Sequence, residues 1–145
     1  MAVTKVLARD WGKDIRTSTG PDVYTNIAGI RAFGIDPNKQ DVDTSDFDSN
    51  GWTEHMVAAR GLTITLDGFF MEDVATKARD AGQEAVESLS RNVGPTSIGR
   101  FRLTTPGGTT WTFDATAEVG GPSGDVNAVA DWKATLNVSG QVTIA

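Results

Sequence analysis

The run Asp46-Phe47-Asp48-Ser49-Asn50-Gly51 sets side-chain oxygens at alternate positions and then a glycine, the pattern of the first half of a calcium loop. Oxygen donors suit a hard cation, and glycine permits the tight turn that gathers them. The second half fails. Glu54 stands at the ninth place, but the twelfth, where a bidentate carboxylate is needed, is Val57. Pro37 and the Asp/Ser-rich residues before Asp46 argue against an entering helix. The run therefore reads as a solvated or interface-forming turn, with no metal.

Other chemistry-bearing residues lack their partners. His55 is the single histidine, with no second imidazole for a metal and no G-x-S-x-G elbow for a triad, so it reads as a loop or interface residue. Asp41 and Asp43 are paired carboxylates, but acid–base work needs a pocket that raises one pKa, and closely spaced Asp in a polar stretch reads as a solvated face. The glycines of Gly120-Gly121-Pro122-Ser123-Gly124-Asp125 have neither the Lys-Ser/Thr of a phosphate loop nor a following helix, and mark a turn. Arg100 and Arg102 alternate along one strand and read as an exposed face pairing with acids of a neighbour. Asn137-Val138-Ser139 matches a glycosylation pattern by chance, since no secretory signal accompanies it. No catalytic residue, metal or cofactor is expected, and the chain is not read as an enzyme.

Composition frames these residues. A chain of 145 residues fits one domain, spanning 1–145, and at this size folding buries about 70% of the unfolded surface, enough for a core without staples. Cysteine is absent, which removes disulfides, thiolate metal sites and a cysteine nucleophile. Charge near the N-terminus and the lack of a long apolar run predict a soluble, unexported chain with no membrane insertion. The net charge is −6, and the stretch from Asp36 to Glu54 holds six acids against Lys39 alone. That balance opposes holding nucleic acid through its phosphates, a contact made by Lys and Arg.

The elements follow from periodicity. Strands are expected over Val3–Arg9, Ile15–Ser18 and Tyr24–Ile35, with Gly29 and Gly34 as bends or bulges. Asp36 to Ala59 is polar and weakly periodic, a loop of about 20 residues, a length usually functional or disordered. Leu62, Ile64 and Leu66 alternate with Thr63, Thr65 and Asp67, the mark of a half-buried strand. Val74, Ala78, Ala81, Ala85 and Leu89 predict a helix from Asp73, its N-cap, to Asn92, stopped by Gly94-Pro95. Period-two alternation then predicts long antiparallel strands through Phe101–Leu103, Trp111–Val119 and Ala128–Val138, with turns at Thr105–Gly108 and Gly120–Gly124. The expected fold is mainly β, a β-sandwich or strongly bent antiparallel sheet with one flanking α-helix and a long acidic loop.

From Tyr24 to Phe70 the sequence resembles the major tail protein family of long-tailed bacteriophages, the subunits of the tail tube. The resemblance rests on Ile27–Ile35, the polar Thr44–Glu54 stretch with Phe47, Asp48, Ser49, Gly51 and Trp52 in its turn, and Leu62–Phe70. The following helix and strand-rich C-terminal half agree in order. Departures are small: Glu-Glu variants after Trp52 are missing, and no immunoglobulin-like domain is expected beyond Ala145. Contractile-phage tubes, type VI secretion tubes and gene transfer agents use similar subunits. The resemblance implies a structural virion protein assembled as six-membered rings stacked into a tube. It also implies tape-measure, tail-terminator and tip proteins as partners, with double-stranded DNA passing through unbound. Such a chain sits in the virion tail, and in the host cytoplasm during assembly. Phe47, Asp48, Asn50, Trp52, Glu54 and His55 become candidates for an inter-subunit contact loop, and Asp41, Asp43 and Asp46 for an acidic lumen or interface. The alternative from another class is a β-sandwich module binding calcium or a carbohydrate through the Asp46–Glu54 turn.

Overall fold

The computed structural model describes residues 3–145. Seven strands, β1 (Gly12–Ser18), β2 (Val23–Asn26), β3 (Ile30–Asp43), β4 (His55–Phe69), β5 (Ile98–Thr104), β6 (Thr110–Val119) and β7 (Asp131–Ile144), form one antiparallel sheet. Its order is β2-β1-β5-β6-β7-β4-β3. The single helix among the described residues, α1 (Ala81–Ser90), lies against β6, β1 and β2. Of the two β architectures expected, the single sheet is the one formed.

Alternation does what its period requires. Ile15, Phe101, Leu103, Phe113, Ala115, Trp132, Ala134, Leu136, Ile64 and Leu66 are buried and occupy one face. Phe101 and Phe113 stack across β5 and β6 with ring centroids 5.9 Å apart. The opposite face carries Asp14, Arg100, Arg102, Thr112, Asp114, Thr116, Thr63, Thr65 and Lys133, at positions in register with one another. The Thr105–Gly108 turn closes as expected, with the Gly108 amide donating to the Thr105 carbonyl at 2.9 Å.

Four expectations are corrected. Val3–Arg9 forms no strand: Val3, Val6 and Leu7 are exposed, and β1 pairs with β5 only from Gly12 onward. Tyr24–Ile35 is two strands at opposite edges of the sheet, separated at Ile27–Gly29. Gly29 does supply the bend, at φ +77°, whereas Gly34 stays in ladder with Thr65 and the irregularity falls between Ile30 and Ala32. The Asp36–Ala59 loop is largely a ladder, running from Asp36↔Thr63 to Asp43↔His55, so the unpaired tip shrinks to residues 44–54. Backbone pairing needs no apolar alternation when both faces are wet, and that removes the period-two signal there.

The helix is also shorter than its apolar stripe. The Asp73 carboxylate accepts from the amides of Ala75 and Thr76, a local turn that competes with helix, and Lys77 then has φ +63°. Asp80 is the true cap, accepting from the Gln83 amide at 3.1 Å. Val74 is 91% exposed and lies outside the helix, Ala78 and Ala81 are exposed, and Ala85 and Leu89 are half-buried. The buried residues of α1 are Gly82, Gln83 and Val86. A Cβ on Gly82 would stand 2.6 Å from the Ile27 Cα and collide with the Asn26 carbonyl, so glycine is what lets α1 approach the end of β2.

Candidate assembly interface

The β3–β4 hairpin extends beyond the strands that flank it. β4 pairs with β7 only from Thr63 to Phe69, so His55–Leu62 and its partners in β3 project as a two-stranded arm. The tip is internally braced. The Thr44 amide donates to the Glu54 carbonyl at 3.0 Å, and the Ser45 hydroxyl bridges the Glu54 carbonyl and amide. Asp46 caps a 3-10 turn at Phe47–Ser49, its Oδ1 accepting from the Asp48 amide at 3.0 Å and the Ser49 hydroxyl at 3.1 Å. Asn50 and Gly51 follow with φ of +53° and +82°. The residues that resemble a calcium loop thus form a capped turn, with Asp46 engaged in shaping it.

Around this frame the candidate residues are placed as follows. Phe47 is fully exposed, and Trp52 is 79% exposed. Burial of either would remove a large apolar surface from water, and neither finds it within the single copy. Asp43 pairs in register with His55, and Asp41 with Val57. The Ser45 amide, donating to Asp43 Oδ1 at 2.8 Å, holds the Asp43 carboxyl below its ordinary pKa of 3.8, with smaller contributions from the nearby Ser45 hydroxyl and from His55. Asp41, Asp43, Asp46, Asp48 and Glu54 make residues 41–54 acidic, with no Lys or Arg among them. Val42, Met56 and Val57 add exposed apolar surface along the arm.

The polar face is organised by ion pairs. Arg100 reaches Asp114 at 2.9 Å and Arg102 reaches Asp14 at 2.9 Å, each across to a neighbouring strand. Arg102 also lies over the Tyr24 ring at 4.2 Å, and Arg31 pairs with Asp67 at 3.2 Å. Hydrogen bonding to Asp114 raises the Arg100 pKa further. Arg16, on the same face of β1 as Asp14, pairs with Asp22 at 3.5 Å, and outside these pairs the face carries Asp36, Glu118 and Asp131 against Lys133.

Sequence reasoning missed the node that holds the open end of the β3–β4 hairpin to the helix. Gln83, fully buried, donates through Nε2 to the carbonyls of Phe69 (2.7 Å) and Ala28 (3.0 Å) and accepts at Oε1 from the Met71 amide (3.2 Å). Beside it Glu87 receives two bonds from Arg79, at 2.8 and 3.0 Å, and one from the Trp132 indole at 3.1 Å. The signal available was weak: a glutamine and a glutamate four residues apart on one helix face.

No protein-family model matches the chain, and no curated protein matches it. Solved structures do. A chain from the virion of a native gene transfer agent particle superposes with a TM-score of 0.74 at 18% identity, over 97% of this chain and 99% of its own. A chain from the tail of an empty gene transfer agent particle, determined with C6 symmetry, gives 0.72 at 20%, over 97% and 99%. A chain of the SPP1 tail tube gives 0.71 at 13%, over 97% of this chain and 78% of that one. This chain has the tail-tube fold. As a single copy, the tail-tube fold leaves three surfaces without a partner among the described residues: the sheet edges β2 and β3, the hairpin tip, and the polar face.

Proposed function

We propose that the chain is a structural, non-enzymatic tail-tube subunit that assembles into six-membered rings stacked as a tube in a phage-like virion. The observation that carries this reading is the near-complete match in fold to chains of a gene transfer agent tail and the SPP1 tail tube. The free surfaces support it. Edge strands β2 and β3 are suited to pairing between neighbours, because an unpaired edge presents a row of amides and carbonyls. The arm carrying Phe47 and Trp52 is suited to a contact with another subunit.

In this reading the polar face lines the bore. Its arginines are neutralised by Asp14, Asp22, Asp67 and Asp114, and the residual surplus is acidic. Such a wall repels phosphate, whereas a basic one would hold DNA by counterion release. Double-stranded DNA would then pass without specific binding, and tape-measure, terminator and tip proteins would be the remaining partners. The test is sedimentation and negative-stain microscopy of the purified chain: sixfold rings or tubes support the proposal. A monomer at every concentration, with a Tm that rises with calcium, would refute it in favour of a binding module.

A further inference from the structure

One apolar hollow lies beyond the reach of the helix. It has a volume of about 630 Å³ and is walled by Leu62, Trp111, Val138, Val142 and Ile144, with Arg60 at its rim. No residue of α1 lines it. It continues the buried face of the sheet to the end where β7 is irregular around Gly140, so its walls are core-type side chains left half-covered. Arg60 is paired in register with Lys39, which sets two bases side by side, and neither has a carboxylate within 4.0 Å among the described residues.

The hairpin tip has the complementary chemistry: two exposed aromatics, Phe47 and Trp52, within a stretch holding five acids and no Lys or Arg. It cannot enter the hollow of its own chain. The ladder from Lys39↔Arg60 to Asp43↔His55 keeps the strands extended between them, and at about 3.4 Å per residue this holds the tip more than about 13 Å beyond the hollow. We propose that the Phe47/Trp52 tip of one copy seats in the Leu62/Trp111/Val142 hollow of a second copy, with tip acids facing Arg60 and Lys39. This deepens the tube reading and rests on it. The two surfaces are different patches of one molecule, so the contact is heterologous: each copy offers a tip and a hollow, and the contact propagates rather than closing as a twofold dimer.

The absence of cysteine makes the test direct. Thr53, next to Trp52 in the tip, and Gln141, a residue of the hollow's lining, are both exposed, so Thr53→Cys with Gln141→Cys leaves the core and both aromatic anchors untouched. A disulfide needs Cα atoms within about 7 Å, which only a seated tip provides. Under mild oxidation, assemblies of the double variant should give a ladder of covalent multimers on non-reducing electrophoresis that collapses on reduction. A control pairing Thr53→Cys with Val126→Cys, at a fully exposed position on the β6–β7 connection, should give none. Tubes without the Thr53/Gln141 ladder would overturn this contact and leave the tube reading standing. Covalent dimers from Thr53→Cys alone would overturn it in favour of tip-to-tip pairing. A parent chain that forms no assembly would overturn both.

Discussion

Replacing Gln83 by Leu should destabilise the chain far more than its loss of a single polar side chain suggests. The amide serves the carbonyls of Ala28 and Phe69 and the amide hydrogen of Met71, groups at the β2–β3 connection and the end of β4. Leucine fills much the same volume but answers none of them, so three partly buried backbone groups lose their partner at about 1–3 kcal/mol each. Chain segments at strand ends can turn partly toward water, which puts the net loss at about 3–6 kcal/mol. Against a total of about 5–15 kcal/mol for a domain, that is a large share. For a chain of this length it corresponds to roughly 10–20 °C in Tm. Equilibrium urea unfolding, followed by tryptophan fluorescence, would read it as a lowered midpoint with an unchanged slope. A loss below about 1 kcal/mol would refute the reasoning, because it would mean that those backbone groups do not depend on the Gln83 side chain.

Trp52→Ala should keep the parent's stability within about 0.5 kcal/mol, as an exposed substitution does, yet abolish or strongly weaken tube formation in sedimentation and microscopy. Leu89→Asp should cost about 2–4 kcal/mol by setting a charge against Gly99 beneath the helix, while Val74→Asp should be neutral in the same thermal melt. At Glu87 burial pushes the carboxyl pKa up, but hydrogen bonds from Arg79 and Trp132 and the charges of Arg79 and Arg91 outweigh it, leaving the pKa below 4.5. The stability this group contributes is therefore present above about pH 4.5 and lost as pH falls through the folded value, so Glu87→Gln should flatten the acid limb of a Tm–pH profile. Assembled tubes should not retain duplex DNA in a mobility-shift assay even at about 50 mM salt, where phosphate contacts are strong.

How much of this was legible depends on where side chains alternate. β5, β6, β7 and the second half of β4 each bury one face, so Phe101, Phe113, Trp132 and Ile64 announce their strands. The arm buries neither face, and its strands were invisible for the same physical reason that they are strands: cross-strand backbone bonds hold them. The helix was overextended because Val74 and Ala78 fall at helical spacing by chance, and the Asp73 turn that breaks the run is a local hydrogen-bond competition that spacing does not record. Lys13 and Gln83 sit against the core through bonds to backbone carbonyls that are distant or adjacent in sequence, and polarity alone hides such residues. Phe47 and Trp52 were legible as large aromatics in a polar stretch, and both are exposed in the single copy. Their rigidity was not, because it depends on Asp46, Ser45 and Glu54 closing the tip.

In the proposed tube, the free edge bears on how single copies avoid indiscriminate pairing. β3 is fourteen residues long and unpaired on one side, which by itself would template uncontrolled strand addition. Two register shifts interrupt it, between Ile30 and Ala32 and between Gln40 and Asp41, and Pro37 removes one donor from its middle. Asp36, Lys39, Asp41 and Asp43 add charge along the same strand. The longest run that remains regular and proline-free is Ala32 to Asp36, comparable in length to the four-residue β2 at the other edge. Edges of that kind bind weakly alone. In the proposed assembly the arm is the second attachment, and a subunit held at an edge and at a tip would add to it with far greater avidity than either contact gives by itself. In that proposal weak edges and a long arm serve one requirement: association that fails for isolated pairs and succeeds only in the geometry that satisfies both contacts together.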